Sequence, residues 1–184
     1  MSIRIVSHQS HIVVVDVQER LAPLLDNVQS MLINSVKLLK AAQLFDIPIT
    51  VAEQYPKGLG KTVKEIEPFI VDQVFEKTTF SCFGSLSFSK HLEKRRTDGQ
   101  DTLVVVGCEA HVCVLQTVID GMDAGYNVVV VNDAVASRNN TDVDLARSRL
   151  SNAGASYVST EMLLFEWTQS KDAAQFKAIS ALVK

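Results

Sequence analysis

A change of hydrophobic period around Gly107 is the feature of this sequence that most constrains its fold. Residues 103–106 are four consecutive apolar residues, and Gly107 ends the run. A short Val-rich run of this kind is typical of a strand that is buried on both faces. Further along, apolar residues recur at three- and four-residue steps, at Val112, Leu115, Ile119 and Met122. That spacing predicts a helix, so residues 103–122 should form a strand, a tight turn and a helix.

The same alternation of strand and helix runs along the rest of the chain. Short apolar runs predict further strands at residues 11–15, 47–52, 71–76, 127–131 and 155–158. Helical spacing predicts helices at 30–45, 86–96 and 142–153 and over the C-terminal residues, with a long loop and one helical turn in 54–68. Strands and helices that alternate in this way predict an α/β fold: a three-layer α/β/α sandwich, Rossmann-like, with a six-stranded, mainly parallel sheet.

Composition narrows the class of protein. A chain of 184 residues with 47% hydrophobic content suits one domain over residues 1–184. The net charge of −3 offers no basic footprint for nucleic acid. The three cysteines are widely spaced, so they predict neither a disulfide framework nor a zinc knuckle and fit a reducing compartment. No apolar run is long enough for a membrane span or a secretory leader, so we expect a cytoplasmic protein that does not enter the membrane.

Polar residues follow several of the predicted strands. Asp16 and Gln18 follow the first strand, Lys77 the third, and Asp133 the fifth. In a parallel sheet these carboxyl ends share one edge, where ligands bind at the point at which the winding reverses. Each residue also has a structural interpretation: Asp16 as a helix cap, Lys77 as a surface lysine, and Asp133 as a turn residue.

Cys113 is placed by the pattern in the first turn of the helix after the fourth strand. The positive end of the helix dipole and the free N–H groups there favour thiolate over thiol, which predicts a thiol pKa below about 8.5. The alternative is a buried cysteine that packs as a small hydrophobe. An acid, an amine and a thiol at three strand ends on one edge of the sheet are together what a cysteine hydrolase needs.

Three motifs resemble those of the isochorismatase-like cysteine hydrolases. They are Val-Val-Val-Asp-Val-Gln at 13–18, Glu-Lys-Thr-Thr-Phe-Ser at 76–81 and Gly-Cys-Glu-Ala-His-Val-Cys-Val-Leu-Gln-Thr at 107–117. The similarity extends to Asn-Asp-Ala-Val-Ala-Ser-Arg at 132–138. Glu-Gln-Tyr-Pro-Lys-Gly-Leu-Gly at 53–60 is most similar to the small isochorismatase domain-containing proteins. The resemblance implies the isochorismatase-like hydrolase fold over nearly the whole chain.

The resemblance also implies a chemistry and an Asp–Lys–Cys triad. Asp16 would take the thiol proton, Cys113 would attack a carbonyl carbon to form a thioester, and Lys77 would hold both groups in place. A cis peptide between Cys108 and Glu109 would aim backbone N–H groups at the oxyanion. The expected function is therefore hydrolysis of a small amide or related C–N substrate. The family's vinyl-ether hydrolases lack this cysteine, so Cys113 argues against the activity that names the family.

Four residues near the predicted edge are candidates for contact with the small-molecule substrate: Gln18, Tyr55, Phe80 and His111. We expect no metal and no cofactor. Nicotinamidases of the family carry an Asp–His–His metal site after the second strand, whereas residues 50–72 of this chain contain no histidine. Glu53 and Tyr55 occupy that neighbourhood instead.

We also expect a homo-oligomer, because the family resemblance implies one and residues 162–167 are unusually apolar. An alternative function is an oligomeric binding or interaction protein of the same fold with little or no hydrolase role. A nucleotide-binding module is disfavoured, since residues 107–112 do not form a glycine-rich phosphate loop.

Overall fold

The computed structural model describes residues 4–71 and 74–184 and contains one six-stranded sheet in that part of the chain. The strands are β1 (Ser10–Val15), β2 (Ile49–Gln54), β3 (Val74–Lys77), β4 (Thr102–Cys108), β5 (Asn127–Ala136) and β6 (Ser156–Val158). Their order is β3-β2-β1-β4-β5-β6, and every neighbouring pair is parallel. The predicted α/β fold with a parallel sheet is confirmed.

Seven α-helices connect and flank the strands within those residues. They are α1 (Val28–Leu44), α2 (Pro56–Leu59), α3 (Leu86–Thr97), α4 (Leu115–Asp123), α5 (Asn140–Ala153), α6 (Thr160–Thr168) and α7 (Phe176–Leu182). Among these residues, no helix has the length and apolar character needed to cross a membrane.

Two hydrophobic cores lie on opposite faces of the sheet. Side chains of α1, α6 and α7 pack in one core, and side chains of α3, α4 and α5 pack in the other. Successive residues of a strand point to opposite faces, so β1 contributes Ile12 and Val14 to the first core and Val13 and Val15 to the second. Because both faces of β1 are buried, its sequence is a continuous apolar run. The sheet with helices on each face forms the three layers of the fold.

The strand boundaries differ from the prediction, most of all in β2, β3 and β5. β2 begins and ends two residues later than expected. Val71 lies outside β3, and residues 72 and 73 of that predicted strand are outside the described residues. β5 continues to Ala136 instead of ending at residue 131, because its pairing with β4 shifts register between Val105 and Gly107. Such an irregularity inserts extra residues into one strand and turns their side chains in new directions.

Gly107 allows β4 to lie close beside β1. Its φ is +112°, and a Cβ atom at this position would collide with the carbonyl oxygen of Val15. Glycine is therefore required both by the backbone conformation and by the space available. The order of the strands reverses between β1 and β4, so this contact lies at the topological switch point.

The turn after β4 is a single π-helical turn, Ala110–Val114, which leads into α4. A π turn holds one residue more than an α turn, and it rotates the face of the helix that follows. Val114 and Val118 are fully buried in this segment. Of the predicted stripe, Leu115 is buried, whereas Val112, Ile119 and Met122 are only half-buried.

Candidate active site

The switch point between β1 and β4 collects the three residues predicted to react. Asp16 directly follows β1, Lys77 is the last residue of β3, and Cys113 lies in the π turn after β4. Because the strands are parallel, their carboxyl ends share one edge of the sheet. We call these three residues the Asp16–Lys77–Cys113 cluster.

Asp16 and Lys77 form a buried ion pair. Lys77 Nζ donates to Asp16 Oδ2 at 2.7 Å, and both side chains are almost completely excluded from solvent. Asp16 has a φ of +52°, which is the left-handed conformation that Asp adopts more readily than most residues. This conformation turns the chain sharply at the end of β1 and places the carboxyl group beside Lys77.

The Lys77 ammonium group uses all its protons on protein acceptors. Besides Asp16, Nζ donates to Gln54 Oε1 at 2.7 Å and to the carbonyl oxygen of Phe80 at 2.9 Å, with the Thr79 carbonyl oxygen at 3.3 Å. An ammonium group has three donors and no acceptor, so this set saturates it. Lys77 is therefore suited to act as a fixed positive charge rather than as a proton donor to a ligand.

The thiol of Cys113 is nearly buried, with 6% of the residue exposed. Burial raises its pKa well above the ordinary value, and the charge of Asp16 raises it further, against an opposing effect of Lys77. The expectation of a lowered thiol pKa is therefore wrong for this structure. Desolvation of the charged form outweighs the helix terminus, because a thiolate at this position would lose most of its contact with water.

The carboxyl group of Asp16 retains one oxygen for a proton. Burial raises its pKa, while the charge of Lys77 and hydrogen bonds from Lys77 and Cys113 lower it. Oδ1 is buried and has no hydrogen-bond partner among the described residues. A carboxylate with a raised pKa and a free oxygen beside a thiol is a suitable acceptor for the thiol proton.

The segment between β4 and the π turn contains the Cys108–Glu109 peptide bond, which is cis. Cys108 Sγ donates to the main-chain oxygen of Asp16 at 3.1 Å, so this cysteine braces the end of β1. Glu109 Oε2 accepts hydrogen bonds from Arg138 N at 3.1 Å and from Arg138 Nε at 2.9 Å. The Glu109 carboxylate is therefore engaged by Arg138, just beyond the end of β5.

Gln18 and His111, two of the four predicted substrate contacts, are engaged by the protein itself. The Gln18 amide donates to the carbonyl oxygens of Gln54 and Gly60 and accepts from Gln54 N, and the residue is fully buried. His111 Nδ1 lies 3.0 Å from Ser137 Oγ. The Gln18 amide is already hydrogen-bonded at both ends, so the residue braces the ends of β1 and β2, and its contact with substrate stays a prediction.

Tyr55 and Phe80, the other two candidates, are exposed at 55% and 53%. Tyr55 lines a groove of about 470 Å³ together with Lys77 and residues of three neighbouring segments. These further residues are Pro56, Lys57, Glu76, Thr78, Thr79, Gly84 and Ser85. Lys77 is the member of the cluster that lines this groove, and neither Asp16 nor Cys113 is among its lining residues.

Asp133 and Glu53 are fixed in structural contacts. Asp133 Oδ1 accepts from Thr160 N at 2.8 Å and from Thr160 Oγ1 at 2.9 Å, at the start of α6. The register shift of β5 thus turns Asp133 toward Thr160, which agrees with its interpretation as a structural residue. Glu53 Oε1 accepts from Thr62 N and Thr62 Oγ1 at 2.6 and 2.7 Å. In the described part of the chain, no three His, Cys, Asp or Glu side chains gather where they could hold a metal ion.

Gln54 is the residue near the cluster that the sequence reasoning missed. It ends β2 and pairs directly with Lys77 across the parallel strands. The rule that selects polar residues at strand ends would have found it if the end of β2 had been placed two residues later.

A family model described as the isochorismatase domain matches residues 10–162. Among curated proteins, the chain is 35% identical over 185 residues to the secreted isochorismatase effector Isc1 of Phytophthora sojae, covering 98% of this chain and 87% of that protein. It is 32% identical over 184 residues to isochorismatase domain-containing protein 2A of Mus musculus, with 98% and 85% coverage.

Solved structures agree with these matches. A structure called MAR1 ribonuclease from Caenorhabditis elegans is 36% identical with a TM-score of 0.90, covering 98% of this chain and 92% of that one. The YcaC gene product of Escherichia coli, described as an octameric hydrolase of unknown specificity, has a TM-score of 0.90 at 21% identity, with 99% and 91% coverage. The second likeness concerns the fold alone. The chain belongs to the isochorismatase family of hydrolases, close to the isochorismatase domain-containing proteins.

Proposed function

We propose that this protein is a metal-independent cysteine hydrolase that cleaves a small amide or related C–N bond through a thioester intermediate. The observation that carries the proposal is the buried Asp16–Lys77 pair beside the Cys113 thiol, in which Asp16 Oδ1 has no hydrogen-bond partner among the described residues. The site residues would be Asp16, Lys77 and Cys113, with the turn at Cys108 and Glu109 supplying backbone donors.

The first half of the reaction would form the thioester. Asp16 accepts the thiol proton as Cys113 Sγ attacks the carbonyl carbon, so no free thiolate needs to accumulate. The negative charge on the former carbonyl oxygen is met by N–H groups of the turn, since the first N–H groups of a helix have no intrahelical acceptor. The C–N bond then breaks, and the leaving amine takes the proton from Asp16.

The second half would release the acid. Water attacks the thioester carbon and gives a proton to Asp16, the C–S bond breaks, and Asp16 returns that proton to Cys113. Lys77 keeps its protons throughout, because all three are held by acceptors in the protein. Its positive charge balances the negative charge that moves between Asp16 and the substrate.

A panel of small amides and ureides with quenched-flow mass spectrometry tests the proposal. We expect turnover of at least one compound and a transient acyl group on the peptide that contains Cys113. Cys113→Ser should remove both the adduct and the turnover. Prior treatment with a chelator should leave the rate unchanged. Activity that chelation abolishes and zinc or iron restores would contradict the metal-independent mechanism.

Cleavage of RNA is a second candidate, because the Caenorhabditis elegans structure with 36% identity is called a ribonuclease. Attack by a ribose hydroxyl requires a base such as Asp16 but no thiol. RNA cleavage that persists in Cys113→Ser and disappears in Asp16→Asn would support this candidate over the amide hydrolase. Loss of both activities in Cys113→Ser would support the thiol mechanism.

We further propose that the protein is a homo-oligomer that acts in the cytoplasm on a small molecule. The octameric YcaC neighbour supports the assembly. The cytoplasmic location stays a prediction, and the Phytophthora sojae relative is named a secreted protein. A binding protein of this fold without hydrolase activity remains the alternative, which absence of any acyl adduct on Cys113 would favour.

A further inference from the structure

The side chain of Gln54 joins Lys77 to the chain that follows β3. Its Oε1 accepts from Lys77 Nζ at 2.7 Å, and its Nε2 donates to the carbonyl oxygen of Thr78 at 2.8 Å. The orientation of the amide follows from its partners, because an ammonium group can only donate and a carbonyl oxygen can only accept. Both ends of the Gln54 amide are therefore committed to positions that border the cluster.

The backbone of Gln54 is itself held in place by Gln18. Gln18 Oε1 accepts from Gln54 N at 2.8 Å, and Gln18 Nε2 donates to the Gln54 carbonyl oxygen at 3.0 Å and to that of Gly60 at 2.7 Å. These bonds connect the end of β1 to the end of β2 and to the loop that follows α2. The backbone from which the Gln54 side chain extends to Lys77 is therefore held in place by Gln18.

Gln54 is uncharged, which matters for the Asp16–Lys77 ion pair because Lys77 already has a carboxylate partner. Asp16 Oδ2 and Gln54 Oε1 each lie 2.7 Å from the same ammonium nitrogen. Glu53, the preceding residue, adds a further negative charge that raises the pKa of Asp16. A second carboxylate at position 54 would compete with Asp16 for Lys77, whereas an amide oxygen accepts the hydrogen bond without that competition.

We propose that Gln54 is a positioning residue that fixes the Lys77 ammonium group against Asp16 and so sets the pH range in which Asp16 accepts the Cys113 proton. The inference deepens the proposed thiol chemistry and rests on it for its catalytic meaning. The bonds to Lys77 and Thr78 also hold residues 78–80, which carry the other acceptors of the ammonium group.

The test compares Gln54→Glu with the matched control Gln43→Glu. Gln43 is exposed near the end of α1, at the opposite edge of the sheet, and its substitution makes the same change of charge. The first readout needs no substrate: the rate of Cys113 alkylation by iodoacetamide at pH 9, measured by peptide mass spectrometry. We expect Gln54→Glu to slow alkylation about tenfold, since one pKa unit changes the thiolate fraction tenfold.

The second readout is the pH profile of amide hydrolysis. In Gln54→Glu the acid limb of kcat/KM should move up by about one pH unit, because the added carboxylate favours protonated Asp16. Gln54→Met, which removes the acceptor without adding charge, should lower kcat with a smaller shift of the acid limb. It also serves as the test if Gln54→Glu fails to fold, and a Gln54→Met enzyme with unchanged kcat would overturn the inference.

Two further results would overturn the inference: equal alkylation rates in Gln54→Glu and the wild type, or the same slowing in Gln43→Glu. The alkylation result also separates this inference from the proposed function. Tenfold slowing in Gln54→Glu without amide turnover by the wild type would support the positioning role and count against the hydrolase.

Discussion

At the scale of single residues, burial decides the chemistry of Cys113. A helix N-terminus typically stabilises a nearby negative charge by about 0.3–1 kcal/mol, which is less than one pKa unit. Removal of a charged group from water shifts a pKa by up to about 3–5 units when burial is complete. In this site desolvation is the largest effect on the thiol, and Asp16 adds to it. Cys113 therefore rests as a thiol beside a carboxylate.

The reactivity of Cys113 should increase steadily with pH. Because burial raises the thiol pKa, the alkylation rate in the absence of substrate should still be rising at pH 9, with no plateau. The measurement is iodoacetamide labelling of the Cys113 peptide from pH 6 to pH 10, with glutathione as the control thiol. A midpoint at or below about 8.5 would show that the thiolate is favoured after all.

Asp16→Asn should leave the fold intact and lower amide hydrolysis by about 10²–10⁴-fold. Asn tolerates the left-handed backbone at this position, where φ is +52°, but its amide cannot take the thiol proton. Steady-state kinetics measure the loss, and thermal unfolding checks the fold. Residual turnover within tenfold of the wild type would point to another base, of which Glu109 is the nearest along the turn.

At the scale of elements, the contact of β4 with β1 depends on one missing side chain. Gly107→Ala should destabilise the protein by about 3 kcal/mol or more, because the new Cβ meets the Val15 carbonyl oxygen and φ is +112°. Gly154→Ala is the matched control: its φ is +108°, but nothing lies within 4 Å of the added Cβ. We expect the control to cost about 1–2 kcal/mol in urea unfolding. Equal losses would mean that backbone conformation alone matters.

At the amino ends of the strands, a hydrogen-bonded group of polar side chains links β1, β2 and α3. His11 Nε2 lies 2.7 Å from Thr50 Oγ1, which lies 3.0 Å from His91 Nε2. Burial, and the charges of His91 and Arg95, lower the pKa of His11 from 6.5 to about 3. The unfolded chain therefore binds a proton between these two pH values that the folded chain does not.

This difference predicts a loss of stability in acid. The contribution of neutral His11 to the free energy of unfolding is complete above pH 6.5 and is lost as the pH falls toward 3. The loss amounts to about 2 kcal/mol by pH 5. Urea unfolding at pH 7 and pH 5 measures it. His11→Gln, which cannot titrate, should show a smaller difference between the two pH values. The same difference in both proteins would assign the acid sensitivity to other groups.

At the scale of the whole molecule, the apolar segment 162–167 mostly serves the chain's own core. Leu163, Leu164 and Trp167 are buried against the sheet, and only Met162 and Phe165 are substantially exposed. The apolar composition of this segment is therefore explained by packing within one chain, and the expected oligomer rests on the family relationship alone.

Light scattering of the purified protein should give a molar mass of at least twice the 20.2 kDa of one chain. The membership of the chain in the isochorismatase family provides the reason for this expectation. A tenfold dilution series checks whether the assembly is stable. A mass of one chain at every concentration would contradict the oligomer and leave the monomer as the working unit.

The sequence by itself determined the layered α/β fold and the positions of Asp16, Lys77 and Cys113 at the carboxyl ends of three strands of one sheet. Hydrophobic period and strand-end residues are local properties, and parallel strands bring those ends to one edge whatever the details of packing. Only the tertiary structure decided the turning of Asp133 toward Thr160, the engagement of the Gln18 amide and the raised pKa of the Cys113 thiol. The physical reason is that register, hydrogen-bond partners and desolvation depend on residues far apart in the chain, which local patterns do not report.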